Sequence, residues 1–233
     1  MNYVVCLKYG NKYSAEYVNK LYNSVKRNLT VPFEFVCFTE DTTDIDPNIT
    51  IRNIPISPQI TGWWYKPMFF NPNLGINGTL LFLDLDMIIF DNIDKLFTHK
   101  PGEFLIIRDF NRCAIKSYTK FNSSVFRINT GQHSQVYDNF IRNPSLVIRQ
   151  YHGDQDWIRA SIKIDFDYWP DEWIQSYKWE MRGKPPMVKD KNGKRNFEKI
   201  GEPVIKNETS VAVFHGDPNP KDCNDQWVID NWT

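Results

Sequence analysis

The chain has 233 residues, 41% hydrophobic and 24% charged, the proportions of a folded globular protein rather than a disordered one. Lysine plus arginine balances aspartate plus glutamate at 28 each, so the chain lacks the basic field that a protein built to hold nucleic acid needs. No stretch approaches the roughly 20 apolar residues of a membrane helix, and MNYVVCLKYGNKY lacks the form of a signal peptide, so a cytoplasmic chain without a membrane span is expected.

Tyr3 to Leu7 is a short apolar run ended by Tyr9-Gly10-Asn11, which reads as a buried strand running into a loop. Ser14 stands as an N-cap before a helix carrying Tyr17, Val18, Leu21, Tyr22 and Val25 at helical spacing. Phe33 to Thr39 and Ile49 to Ile54 read as strands two and three. Trp63 to Phe70 reads as a short helix stopped by Asn71-Pro72. Thr79 to Leu83 is a fully apolar strand that runs straight into Asp84-Leu85-Asp86. Cys6 and Cys37 fall in two of these strands and are expected as buried free thiols. The four cysteines form no C-x-x-C pair or His/Cys cluster, which excludes zinc-finger spacing and a disulfide framework.

The second half is less regular. Phe104 to Ile107 and Ser124 to Ile128 read as strands, Gln132 to Arg142 and Asp154 to Ile162 as helices, and the polar, Lys-rich stretch from Arg182 to Asn207 as a surface loop or hairpin. Val211 to Phe214 is a last apolar strand delivering His215-Gly216-Asp217-Pro218. Strands alternating with helices predict an α/β fold with one mostly parallel central sheet flanked by helices. Ligands in such folds bind beyond the carboxyl ends of the strands, which makes the loop from Tyr9 to Tyr13 and the Asp84–Asp86 pair candidates for one site.

Two carboxylates at the end of a buried apolar strand repel one another unless a cation compensates them. Magnesium or manganese suits such hard oxygen donors and commonly bridges to substrate phosphates. Residues two apart on a strand point the same way, so Asp84 and Asp86 can share one ion. His215 follows an apolar strand too, and its imidazole is a candidate third ligand, with Gly216 permitting close backbone approach. Asp154, Gln155 and Asp156 open a helix, where one acid complements the helix dipole. Two carboxylates and an amide exceed what a cap requires and suit contacts to sugar hydroxyls. Trp169, Trp173 and Trp179 read as core more readily than as an acceptor platform, and 182–199 as a solvated loop more readily than as a lid.

YGNKY, LFLDLDMII, FNSSVFRIN, HGDQDWI and VFHGDPNPK occur in the order seen in the glycosyltransferases of family 8, which the chain resembles from about Tyr3 to Lys221. The resemblance implies a GT-A fold, a UDP-sugar donor, a manganese requirement and retention of anomeric configuration. It implies one domain over residues 1–233, with 1–90 as the nucleotide-binding half and 91–233 as the sugar and acceptor half. By the same resemblance Asp84 and Asp86 match the D-x-D metal site, with Leu85 between them, and His215 the late metal-binding histidine followed by Gly216. Tyr9, Asn11 and Tyr13 fall in the loop that meets the base, Tyr13 matching the aromatic packed near the uracil. Lys66 resembles the basic residue that contacts donor sugar and phosphate, Asn122 the first polar residue of F-N-[SA]-G, and Lys221 the lysine on the diphosphate. Asp154 and Gln155 match the D-Q pair flanking the anomeric carbon and are the expected catalytic residues. Gly10 replaces a polar residue of the early motif, Ser124 replaces a glycine, and the ending F-H-G-x-P resembles distant bacterial and viral relatives.

The expected function is therefore metal-dependent transfer of a hexose from a nucleotide-diphosphate sugar to a glycan, lipid or protein acceptor that the sequence does not identify. The alternatives are a non-catalytic nucleotide-sugar-binding module and a haloacid-dehalogenase-like phosphatase, although Met87-Ile88 stands where that motif carries Gly-Thr. A nucleotidyltransferase needs a Gly-rich phosphate loop that Tyr9-Gly10-Asn11 does not supply.

Overall fold

The structure is a computed structural model that describes residues 1–183, 187–197 and 202–233. Its frame is a seven-stranded sheet in the order β3-β2-β1-β4-β7-β6-β8, where β1 is Asn2–Lys8, β2 Phe33–Thr39, β3 Thr50–Asn53 and β4 Thr79–Leu83. The second half contributes β6 (Leu105–Arg108), β7 (Phe121–Asn129) and β8 (Asp167–Tyr168). Strands β1 to β4 run parallel, β7 runs antiparallel to both β4 and β6, and β8 is parallel to β6.

Near-continuous apolar strands are what a sheet covered on both faces requires. In β1, Val4 and Cys6 pack to one side and Val5 to the other; in β4, Leu81 and Leu83 oppose Leu80 and Phe82. The first face is covered by α1 (Ala15–Asn28), which buries Tyr17, Val18, Leu21 and Val25 at the expected spacing. Ser14 occupies its N-cap position. The second face is covered by α3 (Gln135–Arg142), α5 (Asp154–Ser161) and a tight 3₁₀ stretch at Gly62–Phe70, whose Trp64 stacks on Phe140. Cys6 and Cys37 are buried free thiols on paired strands.

Three features were not anticipated. The run after the acidic pair, β5 (Met87–Ile89), leaves the central sheet and joins β12 (Val211–Val213), which in turn pairs in parallel with β9 (Ile174–Ser176). This small second sheet carries the C-terminal half of the chain back to the acidic pair. Short helices α2 (Asp94–Thr98), α4 (Pro144–Gln150) and α6 (Gln226–Asn231) also escaped the sequence reading. Asn143-Pro144, expected only to end a helix, also begins one: Asn143 Oδ1 accepts from Leu146 N and Pro144 takes the first turn.

In the Lys-rich stretch, β10 (Met187–Lys189) and β11 (Arg195–Phe197) form an antiparallel hairpin. Residues 184–186 and 198–201 of the expected surface loop lie outside the described residues. Trp169 is buried, and Trp173 and Trp179 pack against the core. Among the described residues no helix is long and apolar enough to cross a membrane.

Candidate active site

The carboxyl ends of β1 and β4 and the amino end of antiparallel β7 meet at one edge of the sheet. Asp84 follows β4 directly, and its backbone N–H donates to Ser124 O at 2.9 Å, setting Asn122 and Ser123 beside it. Between Ile106 and Ile107 the register with β7 passes from Phe126 to Asn122, a bulge that releases Ser123 and Ser124 from the ladder toward this edge. On the other side, Phe214 N donates to Asp86 O at 2.9 Å, tying the end of β12 to the acidic pair. The first turn of α5 closes the ring. The enclosed cleft has a volume of about 330 Å³ and is lined by Tyr9, Tyr13, Lys66, Asp84, Asp86, Asn122, Asp154, Gln155, His215 and Gly216, all expected from sequence.

Lys66 is the one charged residue in the apolar stretch GWWYKPMFF. It is buried, and its Nζ lies 2.8 Å from Asp84 Oδ1 and 3.9 Å from Asp154 Oδ2. Burial pulls the Lys66 pKa down, but Asp84 and Asp154 outweigh it and the net shift is upward, so this ammonium is firmly charged. Ser123 donates to Asp154 Oδ2 at 2.5 Å. Burial raises the Asp154 carboxyl, against the pull of Lys66 and Ser123.

Tyr13 donates to Asp86 Oδ2 at 2.9 Å, which joins the loop after β1 to the acidic pair as the parallel topology predicts. Burial, and then the Asp84 charge, push the Asp86 carboxyl up to about 6 against the pull of Tyr13, Lys12 and Lys66. A group in that state gains from a cation. Asp84 and Asp86 supply hard oxygens that fit magnesium or manganese, an ion that keeps water and phosphate oxygens as further ligands. Among the described residues no three His, Cys, Asp or Glu side chains converge to hold a metal.

His215 lines the cleft but pairs its Nε2 with Ser176 Oγ at 2.6 Å, while its ring stacks on Phe110 and meets Trp179 edge-on. Burial, with Lys178 nearby, depresses it to about 4, so the imidazole is neutral at physiological pH and retains a lone pair. Lys178 donates to the carbonyls of His215 and, at 2.7 Å, of Asp217. Gly216 between them has φ +71°, and a Cβ there would stand 3.6 Å from Lys178 Nζ. Lys178 thus clamps the turn that carries the histidine.

Three expected residues lie elsewhere. The Leu85 side chain is buried in the core on the α1 face, turned away from the cleft that Asp84 and Asp86 line. Asn11 is exposed on the turn after β1, and Lys221 bonds Glu16 Oε2 at 2.6 Å on the surface. None of the three lines the cleft. The sequence reading missed Ser123, Lys178, Lys12 and Trp63. Lys178 carried no signal like that of Lys66, since it sits among Gln175, Ser176, Glu180 and Arg182 rather than in an apolar run. Trp63, half-exposed at the cleft, has its indole Nε1 3.9 Å from where a Cβ on Gly153 would stand.

No family model matches the chain, and no curated protein matches it in sequence. Solved structures do match it in shape. The galactosyltransferase LgtC, determined with donor and acceptor sugar analogues, superposes with a TM-score of 0.65 at 15% identity, over 99% of this chain and 93% of its own. An active-site mutant of LgtC gives 0.64 at 14% identity with the same coverage. The glycosyltransferase GlyE of Streptococcus pneumoniae TIGR4 gives 0.62 at 13% identity, over 94% of this chain and 56% of that one. At these identities the likeness is one of fold: the chain has the mixed α/β, GT-A architecture of these glycosyltransferases over nearly its whole length.

Proposed function

We propose that the chain is a metal-dependent glycosyltransferase that moves a hexose from a nucleoside-diphosphate sugar, UDP-linked, to an acceptor with retention of configuration. Its nucleotide-binding half is residues 1–90. The observation that supports this reading most is the convergence on one cleft of Asp84 and Asp86, Lys66, Asn122 and Asp154, drawn from four separate parts of the chain, at the strand edge where such folds bind ligands.

Asp84 and Asp86 would hold the divalent cation, which when bound supplies Lewis-acid stabilisation of the departing nucleoside diphosphate. His215, neutral and lining the cleft, would be the third ligand in this reading, giving up its bond to Ser176. Tyr13 and Tyr9 offer aromatic faces to the base, and Asn122 offers an amide to donor-sugar hydroxyls. Lys66 places a fixed positive charge beside the sugar and phosphate, already desolvated and so requiring no reorganisation when charge develops there. As the anomeric carbon becomes oxocarbenium-like, Asp154 and Gln155 face it with oxygen atoms. Ser123 holds the Asp154 carboxylate in place for that role.

The test is release of nucleoside diphosphate from UDP-, GDP- and dTDP-sugars with and without manganese, with Asp86→Asn as control. Manganese-dependent turnover of one UDP-hexose, lost in the variant, is the expected result. Metal-dependent UDP binding without turnover would favour a sugar-nucleotide-binding module, and absence of both would sink the reading.

A further inference from the structure

A second cavity, of about 520 Å³, is lined in part by α5, the helix whose first turn also lines the cleft. Lys120, His152, Arg159 and Lys163 line it with one carboxylate, Asp156, and the ring of Phe166 forms part of its wall. Among the described residues Lys120, Arg159 and Lys163 have no carboxylate within ion-pair distance, whereas Lys8, Lys100, Arg108 and Lys194 each hold one. Three unmatched cations around one concavity set up a field that favours an anion.

The two cavities share their chain elements. His152 and Asp156 face the basic cavity, while Asp154 and Gln155, on the same turn, line the cleft. Lys120 stands two residues before Asn122 at the start of β7. Between the cavities lies Gly153, which carries no side chain and sits under the Trp63 indole. The stretch 152–156 thus contributes to both cavities, which puts a ligand of the basic cavity on the same helix end as Asp154 and Gln155. We propose that the basic cavity is the acceptor subsite and that the acceptor is a sugar carrying an anionic group, phosphate or carboxylate, held by Lys120, Arg159 and Lys163 with its ring against Phe166. This assignment rests on the transferase reading.

The experiment measures binding of glucose 6-phosphate, glucuronate, glucose and inorganic phosphate to the full chain by ligand-observed NMR. The Arg159→Glu/Lys163→Glu variant, whose altered side chains are both exposed, is measured in parallel. The expected result is that either anionic sugar binds more tightly than glucose and than phosphate, and that the double variant weakens it about tenfold or more. UDP binding with manganese should be unchanged in the variant. Preference for glucuronate over glucose 6-phosphate, or the reverse, names the group. Equal binding of glucose, equal binding of inorganic phosphate, or indifference to the double charge reversal would each overturn the assignment. Failure of the unaltered chain to bind UDP would count against the transferase reading instead, since the anionic-sugar measurement does not depend on nucleotide.

Discussion

The Lys66 ammonium stands 2.8 Å from Asp84 and 3.9 Å from Asp154, so one buried cation serves two carboxylates from opposite walls of the cleft. Removing one partner of a buried ion pair costs far more than the pair contributes, because the remaining charges lose their compensation. Lys66→Met should therefore destabilise the chain by about 3 kcal/mol in urea unfolding. Manganese should recover part of that loss, because an ion bound at Asp84 and Asp86 supplies positive charge near the same carboxylates and binds only the folded state. Lys66→Met with unaltered stability, or a loss that manganese leaves untouched, would show that the lysine is not compensating the acidic pair.

Asp86 sets a pH dependence with a definite sign. Its carboxyl is pushed up from 3.8 to about 6 in the folded chain, by burial first and by Asp84 second. A raised pKa contributes stability that is complete below the unfolded value and is lost as pH rises through about 6. At neutral pH the metal-free chain therefore carries a penalty that Asp86→Asn removes, and the variant should be more stable by on the order of 1–3 kcal/mol. Manganese binding should run the other way, because ligation needs the ionised carboxylate. Affinity for manganese should fall as pH drops through about 6, and Asp86→Asn should abolish tight binding. Parallel thermal melts and manganese titrations across that range check both halves.

Much of this site was legible because its residues follow apolar strands. TLLFL ending in Asp84, and Val211–Phe214 ending in His215, fixed where charged groups emerge at the sheet edge, and the structure places both at the cleft. The loop after β1 was linked to Asp86 from topology alone, and Tyr13 makes that contact. What escaped the sequence depends on long-range pairing. The pairing of β5, β12 and β9 into one sheet joins segments far apart in the chain, which no local pattern encodes, yet it brings Lys178 to the His215 turn. The bulge that frees Ser123 leaves no mark in FNSS, because β7 is buried along nearly its whole length whichever way each side chain faces. Leu85 shows the opposite case: an apolar side chain between two aspartates that line the cleft packs into the core instead.

Arg127 tests how the sheet is anchored away from the cleft. It is 1% exposed on β7 and donates to the carbonyls of Leu96, Phe97, His99, Lys100 and Glu103, at and beyond the end of α2. Arg127→Met keeps most of the volume but strands these carbonyls, so a loss of about 3 kcal/mol or more is expected in urea unfolding. Nucleotide binding at temperatures where the variant is folded should be unchanged. A variant that loses nucleotide affinity while keeping its stability would mean that Arg127 acts on the site rather than on the frame.

Under the proposed transferase reading, two lysines are candidates for meeting the donor diphosphate. Lys221 holds Glu16 at 2.6 Å on the surface and reaches the cleft only by leaving it, whereas Lys178 already stands under the His215 turn and donates to the His215 and Asp217 carbonyls. An exposed ion pair is worth about 0–1 kcal/mol, so release of Lys221 is energetically easy. If Lys221 turns to the diphosphate on binding, Lys221→Ala should weaken UDP binding by roughly tenfold, the worth of one charge-assisted hydrogen bond. Glu16→Gln should leave that affinity unchanged or slightly tighter, since it removes the competing partner. Lys178→Met should lower both stability and nucleotide affinity, because it leaves two carbonyls unbonded and loosens the turn carrying His215. Calorimetric titration of UDP with manganese into the three variants separates the roles. Unaltered affinity in Lys221→Ala, with a loss in Lys178→Met, would keep Lys221 as a surface partner of α1 and leave Lys178 as the lysine that shapes the nucleotide end of the cleft.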